Sequence, residues 1–460
     1  MVTGDNDPLS DFQITEEWIY RGEGNCNVVL SLPKSRKILR IRKIDRPRTL
    51  IGWLIVWIND FLYWYCGKGI KEELRDLKFY STVMRPLVGR RYTSEADQVF
   101  LSRKQIKIFE DSLGKYRPEF RKQKILQYSR ASLFDDFAFI PKDEYEYLPF
   151  EMSQNTYAIE IKPKQGWRPL SEKHFPACLF CMHQYLKAEK KQIRCLSKYC
   201  PEDLFSGDDI RMKYAIKSLI EVPQNNFRIF KNGKLVYGEG VGMEFCKIVE
   251  QLFETYSENL ERLRDEFCDL IRTCLLTNLA NIDSSDDCED KLFCEWNKII
   301  QEANRQICLP KGSILEKILS IQMLDTEGCS YYNKLLSRER LKEWDYVDML
   351  LNKISDDCAC LKCVIMMLGN TSRAGDELDL KFVPYLISAI AKDCSLMITL
   401  KKIRENISDL EMKNVVHTNL GQFLVNVGVF DLYPKRLSSI TKHCKRNKEI
   451  LQAYQRATST

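Results

Sequence analysis

The stretch WIYRGEGNCNVVLSLPKSRKILRIRKI, from Trp18 to Ile44, decides how the first part of the chain folds. It contains a turn with two glycines, the apolar segment NVVLSL, a PKS turn and the alternating segment KILRIRKI. Short apolar or alternating segments that are bounded by turn residues are typical of β-strands. The stretch therefore predicts three successive strands joined by short loops.

The turn RGEGN, residues 21–25, is a candidate phosphate-binding loop. Glycine lets backbone N–H groups approach a phosphate closely, although a tight hairpin explains the two glycines equally well. Arg40 lies on the third predicted strand, where kinase-like folds place a cation against nucleotide phosphates. A solvated strand face explains Arg40 equally well, so this segment alone does not decide the function.

The residues that follow, from Thr49 to Tyr128, are predicted to be mainly helical, and FDDFAFIPKDEYEYLP is predicted to be a strand that runs into an acidic connector. The apolar segment LIGWLIVWINDFLYWYCG, from Leu50 to Gly67, is short for a membrane span and has Asn59 and Asp60 near its middle. We predict that it forms a buried or groove-lining helix, with an apolar surface for a partner as the alternative.

The segment EIKPKQGW, from Glu160 to Trp167, follows an apolar run and holds two lysines around a proline. Side chains two residues apart on a strand point to the same face, so Lys162 and Lys164 are expected to lie side by side. Pro163 cannot donate a hydrogen bond to a neighbouring strand, which predicts a strand end or a sheet edge. Two like charges held together predict an anion between them.

Beyond this segment the chain is predicted to be largely helical, with helix candidates in FPACLFCMHQYLKAEKKQI and SGDDIRMKYAIKSLIE. NFRIFKNGKLVYGEG predicts a β-hairpin, because Asn232 and Gly233 suit a type I′ turn. A helical region is predicted from Met243 to Leu351. AKDCSLMITLKKI and QFLVNVGVFDLYPKRL are β-type apolar runs, and each has an aspartate beside it, Asp393 and Asp431.

Some polar residues near these elements suit phosphoryl transfer. Of the two aspartates, one can accept the proton of an attacking hydroxyl and the other can hold Mg²⁺, although turn residues at strand ends are the alternative. His183 and Lys187 are four residues apart on a predicted helix and therefore share a face, as many surface pairs do. Asn225, Asn226 and Arg228 cluster before the hairpin, where a polar loop is the alternative.

The length and composition bound these interpretations. A chain of 460 residues exceeds the size at which one core stops growing, so two lobes are expected. The 70 basic and 64 acidic residues leave a net charge of +6, which argues against a histone-like tail and permits a local basic pocket for a phosphorylated ligand. No long linker or internal repeat interrupts the chain.

The cysteines predict a reducing compartment. The chain has 18 of them and begins without an apolar signal segment, so we expect reduced thiols in the cytoplasm or the nucleus. CLFCMH and CACLKC have the spacing of metal ligands. Because the chain has only four histidines and no paired CxxC knuckles, both segments are predicted to lie in helix cores instead.

Several segments together resemble the inositol-pentakisphosphate 2-kinase family, from about residue 18 to about residue 450. They are RGEGNCNVVLSL with ILRIRK, EIKPKQGW, FCMHQYLK, YCPEDLFSGDDIRMKYAIKSLIEVPQNNFRIFKNG, IQMLDTEG and AKDCSLMI. The resemblance implies an ATP- and Mg²⁺-dependent kinase that makes inositol hexakisphosphate from inositol 1,3,4,5,6-pentakisphosphate. It also implies a two-lobed, kinase-like α+β fold. Residues 1–150 would form a nucleotide-binding N-lobe with an antiparallel sheet, and residues 151–460 a larger, mostly helical C-lobe with a small sheet.

The resemblance also implies roles for individual residues. Asp393 is expected to be the base, Lys162 to assist catalysis and Asp431 to hold Mg²⁺. The residues expected to bind ATP are Gly22, Gly24, Asn25, Arg40, Glu160, Arg228 and Asp431. The residues expected to bind the inositol phosphate are Arg121, Lys162, Lys164, His183, Lys187, Asn225, Asn226 and Lys435.

The chain departs from the family pattern near its C-terminus. Pro434 precedes Lys435, whereas relatives tend to place the lysine first, and Ser439 and His443 stand where some members carry arginine and tyrosine. The connector over residues 139–149 is divergent, so it assigns no adenine contacts. A monomer that needs neither a nucleic acid nor stable membrane insertion is expected.

Other functions compete with this one. A non-catalytic module that binds inositol phosphates or anionic lipids would use the same cations, and so would a kinase of lower inositol phosphates. Protein kinases need HRD and DFG segments, and neither string occurs in this sequence.

Overall fold

The structure is a computed structural model that describes residues 14, 16–24, 26–66, 71–142, 151–256, 258–279, 309–338, 341–353, 364, 381–404 and 414–459. The chain divides into two compact units. One is formed by Met1–Lys78 and Ser94–Asp136, and the other by Phe79–Thr93 and Phe137–Thr460. The predicted α+β class is confirmed, because each unit contains an antiparallel sheet accompanied by helices. The functional roles expected for residues 1–150 and 151–460 stay predictions.

Within the described residues, the sheet of the first unit has five antiparallel strands in the order β1-β2-β3-β5-β4. Their bounds are β1 Ile19–Glu23, β2 Asn27–Leu32, β3 Lys37–Asp45, β4 Asp97–Leu101 and β5 Lys124–Asp135. The three predicted N-terminal strands are confirmed. Val28 and Leu30 alternate along β2 and are fully buried against Leu39 and Ile41 of β3, so the apolar pattern of the sequence forms the core of this sheet.

The prediction of mainly helical structure from Thr49 to Tyr128 is wrong at β4 and at the start of β5. These strands contain several polar residues and lack a regular alternation of apolar and polar residues. Long-range pairing stabilises them, because β5 pairs with β3 and β4 pairs with β5. The strand expected to begin at Phe134 instead ends at Asp135, and residues 143–150 of the connector lie outside the described residues.

The helices are bounded as follows, in chain order. They are α1 Leu50–Cys66, α2 Lys71–Phe79, a π-helix Tyr80–Met84, α3 Arg85–Val88, α4 Arg103–Leu113, α5 Leu179–Glu189, α6 Pro201–Leu204, α7 Asp209–Glu221, α8 Phe245–Phe253, α9 Leu260–Leu276, α10 Ile314–Gln322, α11 Cys329–Leu336, α12 Asp345–Lys353, α13 Val383–Ala391 and α14 Ser438–Thr458. Single 3₁₀ turns cover Arg90–Tyr92, Glu119–Arg121 and Leu170–Glu172.

Side-chain caps explain where several helices begin. Asp208 accepts a hydrogen bond from the Arg211 N–H at the start of α7. Ser102 and Gln105 form a capping box on α4.

Helix α1 is exposed, so the prediction of a buried helix is wrong for its described side chains. Leu50 is 88% exposed, Trp53 46% and Trp57 53%. An apolar helix is buried only where another element covers it, and apolar composition alone cannot reveal whether one does. No helix in the described part of the chain is long and apolar enough to cross a membrane.

The sheet of the second unit has seven antiparallel strands within the described residues, in the order β11-β12-β10-β6-β7-β8-β9. Their bounds are β6 Tyr157–Ile161, β7 Phe227–Lys231, β8 Lys234–Gly238, β9 Val241–Gly242, β10 Ser395–Ile403, β11 Val415–Thr418 and β12 Gly421–Phe430. The sheet is larger than expected. The predicted hairpin is confirmed, because Asn232 and Gly233 have φ values of 50° and 76°, as a type I′ turn requires.

Candidate active site

The register of the second sheet brings distant segments to one edge. Leu396 at the start of β10 lies opposite Ile161, the last residue of β6. Ser395 lies opposite Phe430, the last residue of β12, and Phe227 at the start of β7 also pairs with Ile161. Two strands therefore end, and two begin, at the same edge of the sheet.

Four of the predicted site residues occupy this edge. Lys162 directly follows β6, Asp431 directly follows β12, Asn226 directly precedes β7, and Asp393 lies two residues before β10. The antiparallel order, which sequence patterns did not specify, brings these four segments together.

Asp393 lies between two lysines. The Lys164 ammonium group donates to its Oδ1 at 3.3 Å and the Lys435 ammonium group donates to its Oδ2 at 2.9 Å. The Asp393 side chain is still 58% exposed, so the carboxylate is accessible to a ligand. Partial burial raises the pKa of this carboxyl, but Lys435 and Lys164 outweigh it and hold the pKa well below its usual range. The Asp393 carboxyl is therefore ionised at neutral pH.

The prediction that Lys162 and Lys164 share a strand face is wrong. Strand β6 ends at Ile161, and Lys164 has a left-handed backbone with φ of 63°, so the alternation of a strand does not extend through the segment. The Lys162 N–H donates to the Asn226 carbonyl at 2.9 Å. The expectation of a strand end at Pro163 is confirmed, and its carbonyl accepts from the buried Tyr199 hydroxyl at 2.7 Å.

Helix α5 adds a histidine and a lysine, and both lie in the field of other cations. Burial, together with the positive charges of Lys187, Arg446 and Lys164, lowers the pKa of His183 to about 4. Burial also lowers the pKa of Lys187, and Lys164 adds to the effect. Among the described residues no carboxylate pairs with the Lys187 ammonium group, which lies 5.8 Å from the Phe180 ring centroid. This part of the site is short of negative charge.

Arg446 of α14 is a site residue that the sequence reasoning missed. It contributes to the positive field at His183 and, with Lys435, at His443. Burial lowers the pKa of His443 to about 4, and its Nδ1 shares a 2.9 Å hydrogen bond with the Tyr385 hydroxyl. The basic run KHCKRNK, residues 442–448 of α14, was the available signal.

Glu160, Arg228 and Asp431 complete the described part of this edge. Arg228 donates to Glu160 at 3.4 Å across the β6–β7 pair. Asp431 is exposed, with a left-handed φ of 66°, and its carboxylate accepts from the Ser395 hydroxyl at 3.4 Å. A carboxylate and a hydroxyl are oxygen ligands of the kind Mg²⁺ prefers, so these two side chains fit a magnesium ion.

Other predicted residues lie in the first unit. Gly22 has a φ of 148°, which favours glycine, and a Cβ built there would meet no atom within 4 Å. Space beside Gly22 is therefore open within the described residues of its unit, although the Gly24 N–H already donates to the Asn27 carbonyl at 3.0 Å. Asn25 lies outside the described residues. Arg40 is buried on β3, and its guanidinium carbon lies 5.2 Å from the Phe134 ring centroid. The Arg121 backbone carbonyl accepts a hydrogen bond from the Arg117 guanidinium group at 2.8 Å.

Lys43 is a second residue that the sequence reasoning missed. Its buried ammonium group donates to the Glu23 carboxylate at 2.5 Å and to the Gly24 carbonyl at 2.7 Å. Arg117 also donates to Glu23, at 3.2 Å. The glycine turn is thereby tied to β3 through side chains, and the period-two pattern of β3 did not distinguish Lys43 from the other basic residues of that strand.

The CLFCMH segment is not a simple helix core. Cys178 caps α5 instead of lying within it, and its sulfur lies within 4.8 Å of those of Cys181 and Cys200. The distances between these three sulfurs suit a metal ion. CACLKC lies outside the described residues.

The comparisons with known proteins agree on one family. A sequence model described as inositol-pentakisphosphate 2-kinase matches residues 20–449. The inositol-pentakisphosphate 2-kinase of Danio rerio is 26% identical over 96% of this chain and 94% of its own length. Its namesake from Arabidopsis thaliana is 28% identical over 96% of this chain and 93% of its own length.

The two sheets, the cationic edge around an ionised carboxylate and these matches identify the protein as an inositol phosphate kinase. Because the family match covers nearly all of the sequence, the chain belongs to the inositol-pentakisphosphate 2-kinase family.

Proposed function

We propose that the protein transfers the γ-phosphoryl group of ATP to the 2-hydroxyl of inositol 1,3,4,5,6-pentakisphosphate and so forms inositol hexakisphosphate. The observation that carries the proposal is the exposed Asp393 carboxylate held between Lys164 and Lys435. Five phosphate monoesters carry a charge of roughly −7 to −10 near neutral pH, so the ligand needs several cations that converge. The cations around Asp393 supply that charge, and one carboxylate among them can face a free hydroxyl.

In the proposed reaction the 2-hydroxyl oxygen attacks the γ-phosphorus, the bond from that phosphorus to the bridging oxygen of ADP breaks, and the hydroxyl proton passes to Asp393. A carboxylate with a depressed pKa is a weak base. It suits this reaction because the loose transition state of phosphoryl transfer asks mainly for positioning and charge stabilisation. Asp393 orients the hydroxyl, while Lys162 and Lys164 neutralise the phosphates around it.

The proposed substrate-binding set is Arg121, Lys162, Lys164, His183, Lys187, Asn225, Asn226 and Lys435. For ATP we propose Gly22, Gly24, Asn25, Arg40, Glu160, Arg228 and Asp431. Asp431 and Ser395 would hold Mg²⁺, and a bound ion supplies charge neutralisation at the phosphates. We also propose a monomer in the cytoplasm or the nucleus.

The test is incubation of the purified protein with Mg-ATP and the pentakisphosphate, with products followed by phosphorus NMR. We expect conversion to the hexakisphosphate, and its loss in Asp393→Asn. Asp111→Asn is the matched control, because Asp111 is an exposed aspartate on α4, in the other compact unit of the chain. Wild-type protein that binds the pentakisphosphate without converting it would refute the proposal and favour a binding module. Faster turnover of a tetrakisphosphate would favour a kinase of lower inositol phosphates.

A further inference from the structure

Gln322 is a buried residue whose side-chain amide forms hydrogen bonds to two other segments of the chain. It is the last residue of α10 and is fully buried. Its Oε1 accepts from the Gly166 N–H at 2.8 Å. Its Nε2 donates to the Lys164 carbonyl at 2.9 Å and to the Ala391 carbonyl at 3.2 Å. Both amide hydrogens and the oxygen are therefore used on backbone groups.

The two segments that Gln322 joins carry the two halves of one ion pair. Lys164 belongs to the first segment, and its ammonium group lies 3.3 Å from Asp393. Ala391 ends α13, two residues before Asp393, in the second segment. The side chain of Gln322 thus fixes the backbone from which each partner of the pair projects.

Asp325, one turn further along, makes contacts to the same two segments. Its carboxylate accepts from the Lys392 ammonium group at 2.6 Å, next to Asp393. Its backbone carbonyl accepts from the Trp167 indole N–H at 3.3 Å, in the segment that contains Lys164. The residues at the end of α10, Gln322 to Asp325, therefore connect the EIKPKQGW segment to the turn before β10 twice.

The conformation of Lys164 shows why such a support is needed. Its left-handed φ of 63° is unfavourable for a residue other than glycine, and it persists only where other contacts hold it. The hydrogen bond from Gln322 to the Lys164 carbonyl is such a contact. Gln322 itself is fully buried, so it cannot touch a ligand and must act through Lys164 and Asp393.

We propose that Gln322 is a positioning residue that sets Lys164 against Asp393 for the phosphorylation of the inositol phosphate, an inference that rests on the proposed function. The test is a double-mutant cycle in which Gln322→Met is made alone and in a Lys164→Ala background. Both pentakisphosphate affinity, by calorimetry without ATP, and kcat/KM are measured. Gln322→Met is expected to weaken each roughly tenfold to a hundredfold alone. When Lys164 is already absent, the loss of affinity should fall below about twofold, and the loss of kcat/KM should shrink to the part that comes through Asp393.

Equal losses in the two backgrounds, or no loss in a folded Gln322→Met protein, would overturn the inference. Thr277→Val controls for stability alone, since it removes a 2.7 Å hydrogen bond to the Thr273 carbonyl at the end of α9. If Gln322→Met does not fold, Gln322→Glu keeps an acceptor for Gly166 and removes at least one of the two donations, and the same cycle applies. Affinity is measured without turnover. A protein that binds the pentakisphosphate but does not phosphorylate it would therefore refute the proposed function, and the affinity cycle would still test the role of Gln322.

Discussion

The pKa of His183 should rise when an inositol phosphate binds. In the ligand-free protein, burial and the cations around His183 hold this pKa at about 4, below the ordinary value of 6.5. Protonation is costly there because Lys187, Arg446 and Lys164 repel a further positive charge. A polyanion that binds these cations reverses the sign of the local field. The imidazole should then accept a proton at higher pH.

The size of the effect follows from Coulomb's law. Lys187 is one helical turn from His183, so a phosphate held by its ammonium group lies on the order of 6 Å from the imidazole. A phosphate of charge about −1.5 at that distance contributes roughly 1 to 4 kcal/mol for dielectric constants of about 80 to 20. At about 1.4 kcal/mol for each pKa unit, the pKa of His183 should rise by roughly 1 to 3.

The assay is an NMR titration of the imidazole protons with and without saturating pentakisphosphate, in the absence of ATP. The chain has only four histidines, so single His→Gln variants assign every signal: His174, His183, His417 and His443. His417 is the internal control, because it pairs with Gln422 near the start of β12, at the opposite end of that strand from Asp431. A pKa of His183 that stays near 4 at saturation would refute the cationic site as the binding site.

Three more predictions follow from the same contacts. Arg446→Gln should weaken pentakisphosphate binding roughly tenfold to a hundredfold, as loss of a charged hydrogen bond does. Lys448→Gln, on another side of α14, should leave binding unchanged. Calorimetry at several salt concentrations compares the two variants. Gly166→Ala should lower the melting temperature strongly, because the new Cβ would lie 2.2 Å from the Phe205 ring, and unchanged thermal unfolding would contradict this packing. The ligand-free protein should lose stability as the pH falls from about 6.5 towards 4, because His183 and His443 bind a proton at higher pH in the unfolded chain than in the folded one. Differential scanning calorimetry at several pH values tests this. In His183→Gln the loss of stability should be smaller.

Local patterns predicted the elements that they could specify. The three N-terminal strands, the hairpin and the strands beside the two aspartates carry regular apolar patterns or a turn dipeptide, and all of them are present. Strands β4 and β5 were missed because pairing with distant residues stabilises them. The exposure of α1 was missed because composition does not reveal what covers a helix.

For the site, sequence segments indicated which residues belong together but gave no geometry. Asp393, Lys164 and Lys435 do converge, yet the left-handed backbone at Lys164 has no signature in the order of residues. Gln322 and Arg446 were missed for a related reason. Each acts between segments far apart in the chain, and neither a helical period nor a turn motif records such a contact.

The ion pairs at Asp393 also couple its basicity to the occupancy of the site. In the ligand-free protein, Lys435 and Lys164 depress the pKa of Asp393, so the carboxylate is a poor base towards a stray hydroxyl or water. On the proposed function, substrate phosphates engage these lysines and add negative charge nearby, and both changes raise the pKa of Asp393. The base then strengthens when the substrate is in place. Such coupling requires that Lys164 and Lys435 bind Asp393 in the free protein and the substrate phosphates in the complex. Because the Asp393 carboxylate is exposed, a ligand can reach these lysines.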